Sequence, residues 1–498
     1  MSAQTSKLLI WYIIFLSLHY NTHITYSLGS RYHIKPVPVD ESSVFRGSCT
    51  GNPPTQRGYD AAMDLFAKLE GLEGESLCSA MQGVYDDHRA RLSNLLNLPE
   101  GTEVVICPSG SDAEYIPIAI ARALKGDDVH ITNGITQLSE IGAGSAPASV
   151  GKYFSTHVPL VGRLNGEKEV LSGFENIGGI TISARDNDGN VVNASKEMDS
   201  FAEEAFARGA YPIIHGVFGG KTGLRDNKMA ASLDGGNKSL AVVDACQGRF
   251  STDELHEWLN QDSLVLFTAS KFYQAPPFCG AVLVPKGIAD KLRGSPAPQP
   301  HSMFDNEGLG GFLTEKEMPP CLQSWGELLG KERRSNIGLA LRWEAGLAGM
   351  EALAHVSDDM RTKAVDDWAG KVTAMVNGES NLDAWCTERS IVSIRVQKGG
   401  GWLSMSELRD LYRWMSKDVS ELVPGATAAE KDALSKSTYI GQPVHVSNSH
   451  AIVRIALGVE SLVSYLDDST STLDEDMAVV QKLAAVGKHF ATLKESGH

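Results

Sequence analysis

Two short segments, each apolar at its start and polar at its end, constrain this chain most. Residues 242–247 read V-V-D-A-C-Q, and residues 267–272 read F-T-A-S-K-F. Polar groups directly after an apolar, β-branched or aromatic run are typical of buried strands in a mostly parallel α/β sheet. Such sheets bind ligands beyond the carboxyl ends of their strands. The pattern therefore predicts that Asp244 and Lys271 lie together in a ligand site.

A third predicted strand leads into a turn that suits a phosphate group. Residues 104–108 (V-V-I-C-P) predict a strand, residues 109–112 (S-G-S-D) a polar turn, and residues 113–124 a helix with one apolar face. A turn of small residues before a helix presents free backbone N–H groups and a partial positive charge. The residues predicted to bind a phosphate are Ser109, Gly110 and Ser111.

A lysine, a carboxylate and a phosphate site together match what pyridoxal 5'-phosphate requires. This cofactor needs a lysine for its Schiff base and a carboxylate that keeps the ring nitrogen protonated, so that the ring draws electrons from the breaking bond. Lys271 and Asp244 fit those two roles. Lys271 by itself would be a solvated strand end, but Asp, Gln and Lys in this order, with a phosphate turn upstream, favour a cofactor site.

These segments resemble the fold-type I pyridoxal-phosphate enzymes, and among them the class V aminotransferase and cysteine desulfurase branch. The family's S-G-T-E-A turn is similar to residues 109–113 (S-G-S-D-A), its D-x-x-Q to residues 244–247, and its S-x-H-K to residues 268–271 (T-A-S-K). The resemblance implies an α/β fold with a mostly parallel, seven-stranded large domain and a smaller α+β C-terminal domain. It also implies a homodimer.

The resemblance also implies roles for single residues near the cofactor. Asp244 would pair with the ring nitrogen and Gln247 with the ring hydroxyl. Thr268 and Ser270 would join the phosphate ligands, although Ser270 stands where the family has a histidine. The family's ring-stacking aromatic or histidine should fall near residues 137–141, which read Q-L-S-E-I.

Two further segments extend the resemblance away from the cofactor ring. Residues 221–223 (K-T-G) look like the family's E-T-G turn, which places Thr222 beside the cofactor. Residues 452–456 (I-V-R-I-A) are similar to the strand whose arginine binds a substrate carboxylate, so Arg454 is the predicted substrate residue. An edge-strand charge is the alternative interpretation of Arg454. His215 ends another predicted strand, where a core imidazole is the simpler interpretation.

The residues leave the reaction open. Transamination, β-elimination and desulfuration share every residue named so far. A desulfurase carries a nucleophilic cysteine shortly before the substrate arginine, and the sequence has no cysteine between Cys386 and Arg454; Cys321 would be a weak substitute. We therefore predict a pyridoxal-phosphate-dependent aminotransferase that acts on an amino acid. A C–S or other Cβ lyase is the alternative, followed by an inactive scaffold that binds the cofactor.

Charge and cysteine usage exclude other classes of partner and site. The net charge is −16 and no block of Lys and Arg occurs, which argues against nucleic acid or an anionic membrane as partner. The seven cysteines are scattered without C-x-x-C spacing, so neither a disulfide framework nor a metal site is predicted. The expected partner is a small amino-acid substrate.

The sequence divides into four predicted parts. Residues 8–18 form an apolar run that suits the core of a signal peptide and is short for a membrane span of about 20 residues. Such a segment suggests entry to the secretory pathway or an organelle. Residues 294–320, rich in Pro and Gly, are predicted to be a lid or substrate loop. The parts are a targeting segment (1–30), an N-terminal arm with helices (31–100), a large cofactor-binding domain (101–330), and a linking helix with a small C-terminal domain (331–498).

Overall fold

The computed structural model describes residues 37–40, 42–47, 49, 51–164, 169–225, 236–330, 335–447 and 450–497. The predicted targeting segment, residues 1–30, lies outside this range. Among the helices of the described residues, none has the length and apolar character needed to cross a membrane.

Strands and helices alternate through the first two thirds of the chain. The strands are β1 Val44–Arg46, β2 Glu103–Cys107, β3 Ile131–Thr136, β4 His157–Val158, β5 Gly162–Arg163, β6 Ile177–Ile182, β7 Tyr211–Val217, β8 Leu240–Asp244, β9 Leu264–Thr268, β10 Gly280–Val284, β11 Leu382–Glu388, β12 Ile391–Lys398, β13 Gly401–Trp402, β14 Thr438–Ser447 and β15 His450–Ala456. The α-helices are α1 Gln56–Leu69, α2 Gly74–Leu95, α3 Gly110–Ala113, α4 Tyr115–Lys125, α5 Ser145–Ala148, α6 Ser195–Ala207, α7 Thr252–Asn260, α8 Lys286–Leu292, α9 Gln323–Leu329, α10 Ile337–Ala352, α11 Asp358–Gly378, α12 Met405–Met415, α13 Ala428–Ser435, α14 Val459–Asp467, α15 Ser469–Lys488 and α16 Phe490–Glu495.

The larger sheet has seven strands in the order β2-β10-β9-β8-β7-β3-β6. The strands from β9 to β6 pair in parallel, whereas β10 pairs antiparallel with both β9 and β2. Strands β7, β8, β9 and β10 are buried at every position, because helices cover both faces of a parallel sheet. The parallel pairing brings the carboxyl ends of β8 and β9, which precede the two diagnostic segments, to the same edge.

Two hydrophobic clusters hold the sheet from opposite faces. One cluster joins β8 and β9 to α1, α10 and the C-terminal part of the chain through side chains such as Val243, Phe267 and Trp343. The other packs α4 and α8 against the opposite face. The linking helix predicted in the sequence is α10, which Asn336 caps by accepting a hydrogen bond from the backbone N–H of Leu339 (3.1 Å).

The prediction of a lid at residues 294–320 is wrong. Met303, Phe304, Leu309 and Phe312 are at most 3% exposed and belong to the second hydrophobic cluster. Short 3₁₀ turns separate these apolar residues irregularly, so the sequence shows neither helical nor strand periodicity although the segment is core. Its glycines allow close packing, since a Cβ on Gly308 would lie 2.3 Å from the carbonyl oxygen of Met303.

The smaller sheet has the order β1-β14-β15-β12-β11, with β13 added to β12. Strands β12 and β15 pair antiparallel in this sheet, with Ile391 opposite Ala456. Strand β1 joins this sheet in parallel with β14. The buried Arg46 guanidinium fixes it there by donating from Nε to Oδ1 of Asp476 in α15 (2.5 Å). The N-terminal arm is thus tied to the C-terminal part of the chain.

Candidate active site

A cleft of about 730 Å³ lies beyond the carboxyl ends of β8 and β9, against α12, β14 and β15. Most of the residues predicted from the sequence line it, although they come from distant parts of the chain. These residues are Ser109, Gly110, Ser111, Asp244, Gln247, Thr268, Ser270, Lys271 and Arg454.

The predicted phosphate turn follows β2 and opens α3. The Ser109 side chain caps the helix by accepting a hydrogen bond from the backbone N–H of Asp112 (3.1 Å), and its hydroxyl donates to Asp112 Oδ2 (2.6 Å). Gly110 is held close to the ends of β8 and β9: an added Cβ would lie 2.8 Å from Cys246 Sγ and 2.9 Å from Thr268 Cγ2. Only a glycine lets the backbone approach here, as a phosphate cradle requires.

Asp244 ends β8 and is 94% buried. Its Oδ1 accepts a hydrogen bond from the backbone N–H of Cys246 (3.0 Å), which fixes the side chain at the floor of the cleft. Gln247 follows at the same wall, and the Thr268 hydroxyl donates to the carbonyl of Cys246 (2.7 Å). Strands β8 and β9 are therefore locked together where their polar ends emerge.

Lys271 lies on the loop after β9, and a residue of the N-terminal arm holds that loop. Asn52 Nδ2 donates to the carbonyl oxygens of Ser270 (2.7 Å) and Lys271 (3.3 Å). The same loop carries Phe278 with φ of 71°, a left-handed conformation that is unfavourable for an aromatic residue. Within the described residues, the Lys271 amine makes no hydrogen bond or ion pair, so it is available to a ligand in the cleft.

Thr222 does not line the cleft but lies behind its wall. The Thr222 hydroxyl donates to Glu140 Oε1 (2.7 Å) and accepts from Arg185 Nη2 (2.7 Å), and its backbone N–H donates to Glu140 Oε2 (2.8 Å). Arg185 also pairs with Glu140 directly (2.9 Å). Thr222 thus positions Glu140, which lines the cleft, and its own hydroxyl is engaged by Glu140 and Arg185.

Arg454 reaches the cleft from β15 and is 98% buried. Its Nη1 donates to the carbonyl of Lys221 and its Nη2 to that of Gln442, both at 2.9 Å. Nε is buried and finds no hydrogen-bond partner within the described residues. Two carbonyls therefore orient the guanidinium without neutralising it, and burial lowers the pKa of Arg454.

Several residues that line the cleft were not found from the sequence. Ser139, Glu140 and Ile141 occupy the segment where a ring-stacking aromatic or histidine was sought, and the Lys221 side chain lies beside them. No periodicity marks these loop residues. The one available signal was the lysine at position 221, where the E-T-G turn has a glutamate. Helix α12 adds Arg409, Tyr412 and Arg413, and β14 adds His445.

A buried cluster of ionisable groups lies beneath the floor of the cleft. Ligand atoms of Glu114, His215 and Asp244 all lie within 4.8 Å of one another. Burial lowers the pKa of His215 to about 4, opposed by the negative charge of Asp244. Burial, and then the charge of Asp244, raise the pKa of Glu114 well above its ordinary value. Near neutral pH, His215 is therefore uncharged, and burial disfavours the ionised form of Glu114.

The groups in the cleft fit pyridoxal 5'-phosphate. A lysine amine without a protein partner, a buried carboxylate and a close-packed glycine turn are the three features that this cofactor requires. Ser109, Ser111, Thr268 and Ser270 would hold its phosphate, Asp244 its ring nitrogen, and Gln247 its ring hydroxyl.

Comparison with known proteins gives matches by structure alone. No protein-family model and no curated protein sequence matches the chain. Mouse CSAD superimposes with a TM-score of 0.51 at 14% identity, over 89% of this chain and 84% of that one. TDC from Oryza sativa, solved with PLP and tryptamine, gives 0.51 at 12% identity, over 97% and 99%. The aminotransferase pucG of Bacillus subtilis gives 0.49 at 11% identity, over 92% and 98%.

These solved structures are pyridoxal-phosphate-dependent enzymes of fold-type I. Identities this low establish the fold and leave the class V branch a prediction. The predicted fold class is confirmed: this chain has the fold of the fold-type I pyridoxal-phosphate-dependent enzymes.

Proposed function

We propose that this protein is a pyridoxal-phosphate-dependent aminotransferase that acts on an amino acid through Lys271. One observation carries the proposal: Lys271 and Asp244, from adjacent parallel strands, line the same cleft as the Ser109–Ser111 turn. A lone lysine at a strand end has many explanations. An amine, a buried carboxylate and an anion-binding turn at one sheet edge have few.

The proposed chemistry assigns one task to each group. When bound, the cofactor would withdraw electrons from the substrate's Cα bonds. Lys271 Nζ would hold the cofactor, give way to the substrate amine, and then move the Cα proton, because the freed amine stays within reach of that carbon. Asp244 supplies a fixed negative charge in a buried setting, where it acts more strongly than in water. Arg454 would orient the α-carboxylate.

The loop that bears Lys271 is held from two directions, which favours precise proton transfer. Asn52 fixes the carbonyls of Ser270 and Lys271 from the N-terminal arm. On the other side, the backbone N–H of Val459 donates to the carbonyl of Phe272 (2.8 Å) from the start of α14. The loop of Lys271 is therefore anchored by the N-terminal arm and by α14, and the lysine amine is positioned before substrate arrives.

A Cβ lyase is the second candidate, and a thiol in the cleft favours it. Cys49, from the N-terminal arm, lines the same cleft as Arg454. A thiol here lies on the substrate side of the site, where it would meet a sulfur leaving group. Cys321, by contrast, is buried in the 3₁₀ turn Pro320–Leu322, outside the cleft, and burial raises its pKa to about 12.

Product analysis separates the candidates. An aminotransferase yields a keto acid only when an acceptor keto acid is present, a lyase yields keto acid and ammonia without an acceptor, and an inactive scaffold yields neither. Reduction with borohydride followed by peptide mapping should place the cofactor on Lys271. A Lys271→Ala protein that still forms a reducible adduct would refute the assignment.

A further inference from the structure

Lys221 is a second amine in the cleft, and the proposed reaction does not use it. Its Nζ donates to the carbonyl of Ser139 (3.0 Å), and its own carbonyl accepts from Arg454 Nη1 (2.9 Å). The side chain of Lys221 and the guanidinium of Arg454 therefore belong to one wall. Two cations held side by side by backbone carbonyls repel each other unless an anion lies near them.

The charges that line the cleft do not balance. Among the described residues that line the cleft, the cationic side chains are Lys221, Lys271, Arg409, Arg413 and Arg454, and the carboxylates are Glu140 and Asp244. Glu140 is fully engaged by Arg185 and Thr222, and Asp244 lies on the floor, where the ring nitrogen would be. Arg413 pairs with Asp410 (3.3 Å). Within the part of the chain that the structure describes, Arg409 has no ion-pair partner.

The phosphate turn and the wall of Lys221 and Arg454 come from different elements of the chain. The phosphate turn follows β2 and packs against Cys246 and Thr268, at the ends of β8 and β9. Lys221 follows β7, and its partner Ser139 follows β3, on the other side of β8 in the strand order. The turn that would hold the phosphate is thus formed by elements other than those that hold Lys221 and Arg454.

Burial makes the excess charge costly. Desolvation, followed by repulsion from Arg454, lowers the pKa of Lys221 to about 8. The other charged groups that act on this amine are Glu140 from the same wall, Lys271 from the loop after β9, and Asp244 from β8. An amine whose pKa is lowered in this way is stabilised as the ammonium ion when an anion binds beside it.

We propose that Lys221, together with Arg409, binds a second anionic group of the substrate, so that the substrate is an amino acid whose side chain ends in an anion. This proposal rests on the proposed function, since Arg454 is then occupied by the α-carboxylate. The chemistry required is a carboxylate, sulfonate or phosphate on the substrate side chain. Arg409, exposed on α12, would reach that group from the small domain.

The test uses the cofactor-loaded protein and measures binding by calorimetry. Succinate and glutarate serve as probes with two anions, and butyrate as the probe with one. Lys221→Gln should weaken binding of the dicarboxylates about 10- to 100-fold, the range for a lost charge-assisted hydrogen bond. The same change should leave butyrate affinity unaltered. Lys221→Arg keeps the charge and should retain the preference.

The pH dependence gives a second readout, which needs no variant. Dicarboxylate affinity in the wild type should fall as pH rises past about 8, since Lys221 then loses its proton. Lys221→Arg should abolish that decline, because a guanidinium stays charged. Arg413→Gln removes one positive charge from α12, the helix of Arg409, and leaves Lys221 and Arg409 intact. This variant should keep the preference for dicarboxylates over butyrate.

The outcomes separate this inference from the function beneath it. Equal losses for butyrate and dicarboxylates in Lys221→Gln, or failure of Lys221→Arg to retain the preference, would overturn the anion subsite. Aspartate, glutamate and phosphoserine should shift the cofactor's absorbance at lower concentrations than asparagine, glutamine and serine. If all six shift it equally, the subsite is wrong and the amino-acid function stands. If none does, the proposed function fails.

Discussion

Nδ1 of His215 lies 3.4 Å from Oε2 of Glu114, and both side chains are 99% buried beneath Asp244. The core imidazole expected from the sequence is therefore part of the candidate site. Because burial disfavours the charged form of both groups, they surround the Asp244 carboxylate without acting as a counter-ion. The arrangement concentrates one negative charge at the floor of the cleft.

Asp244→Asn tests that charge. The asparagine Oδ1 can still accept the Cys246 N–H, so the fold and cofactor binding should survive. Turnover should fall by orders of magnitude, since a neutral side chain no longer keeps the ring nitrogen protonated and the electrostatic loss is on the order of several kcal/mol. Steady-state kinetics at saturating cofactor gives the answer. Unchanged turnover would contradict the role of Asp244.

His215 should make the protein less stable in acid. Its pKa is about 4 in the folded chain against 6.5 for an ordinary histidine. Between pH 4 and 6.5, the unfolded chain therefore binds a proton at this residue and the folded chain does not. Its contribution is fully present above pH 6.5 and is lost as pH falls toward 4, by about 3 kcal/mol in total. His215→Gln should remove this part of the pH dependence.

Urea unfolding of wild type and His215→Gln between pH 4 and 8 checks this prediction. Glu114, whose pKa is raised, contributes the opposite dependence above its unfolded value, since its folded form retains a proton that the unfolded chain releases. Because that dependence has the opposite sign, Glu114 cannot produce the loss of stability that is expected as pH falls. Parallel curves for the two proteins would show that His215 is not held neutral.

The elements that carry the site were predictable and the contacts between them were not. Residues 242–247 and 267–272 predict the positions of Asp244 and Lys271, because an apolar run that ends in polar groups indicates a buried strand and its carboxyl end. Asn52, however, reaches a loop 218 positions away, and no local pattern encodes that contact. Residues 294–320 were missed for another reason: their apolar side chains belong to the core, although the sequence shows neither helical nor strand periodicity there. Lys221 lies in a loop, where only its tertiary neighbours give it a role.

Gly110→Ala should damage the phosphate turn. The added methyl group would lie under 3 Å from Cys246 Sγ and Thr268 Cγ2, so the turn must shift away from the ends of β8 and β9. We expect a loss of about 1 to 3 kcal/mol in stability and weaker cofactor binding.

Gly83→Ala is the matched control. This exposed glycine of α2 has nothing within 4 Å of an added Cβ, so the variant should gain about 0.5 to 1 kcal/mol in stability. Cofactor titration and thermal unfolding measure both. Equal cofactor affinity in the two variants would argue against this turn as the phosphate cradle.

A homodimer is expected, since active sites in the resembled family lie at a subunit interface. Sedimentation velocity at micromolar concentration should show a species of twice the chain mass. A monomer that retains full activity would contradict the dimer and would also weaken the resemblance to the class V branch.

Arg454 decides whether the substrate is an amino acid. If its guanidinium receives the α-carboxylate, Arg454→Ala should cost about 2 to 5 kcal/mol in kcat/KM on an amino acid and little on the corresponding amine, which lacks the carboxylate. Arg454→Lys should fail to restore activity, because an ammonium group cannot reproduce the planar fork. Arg454 also donates hydrogen bonds to the carbonyls of Lys221 and Gln442. Loss of these bonds would disturb the wall of the cleft for the acid and the amine alike, so the amine substrate serves as the control. An equal loss on both substrates would therefore make Arg454 a structural residue, and only a selective loss on the acid supports a carboxylate site.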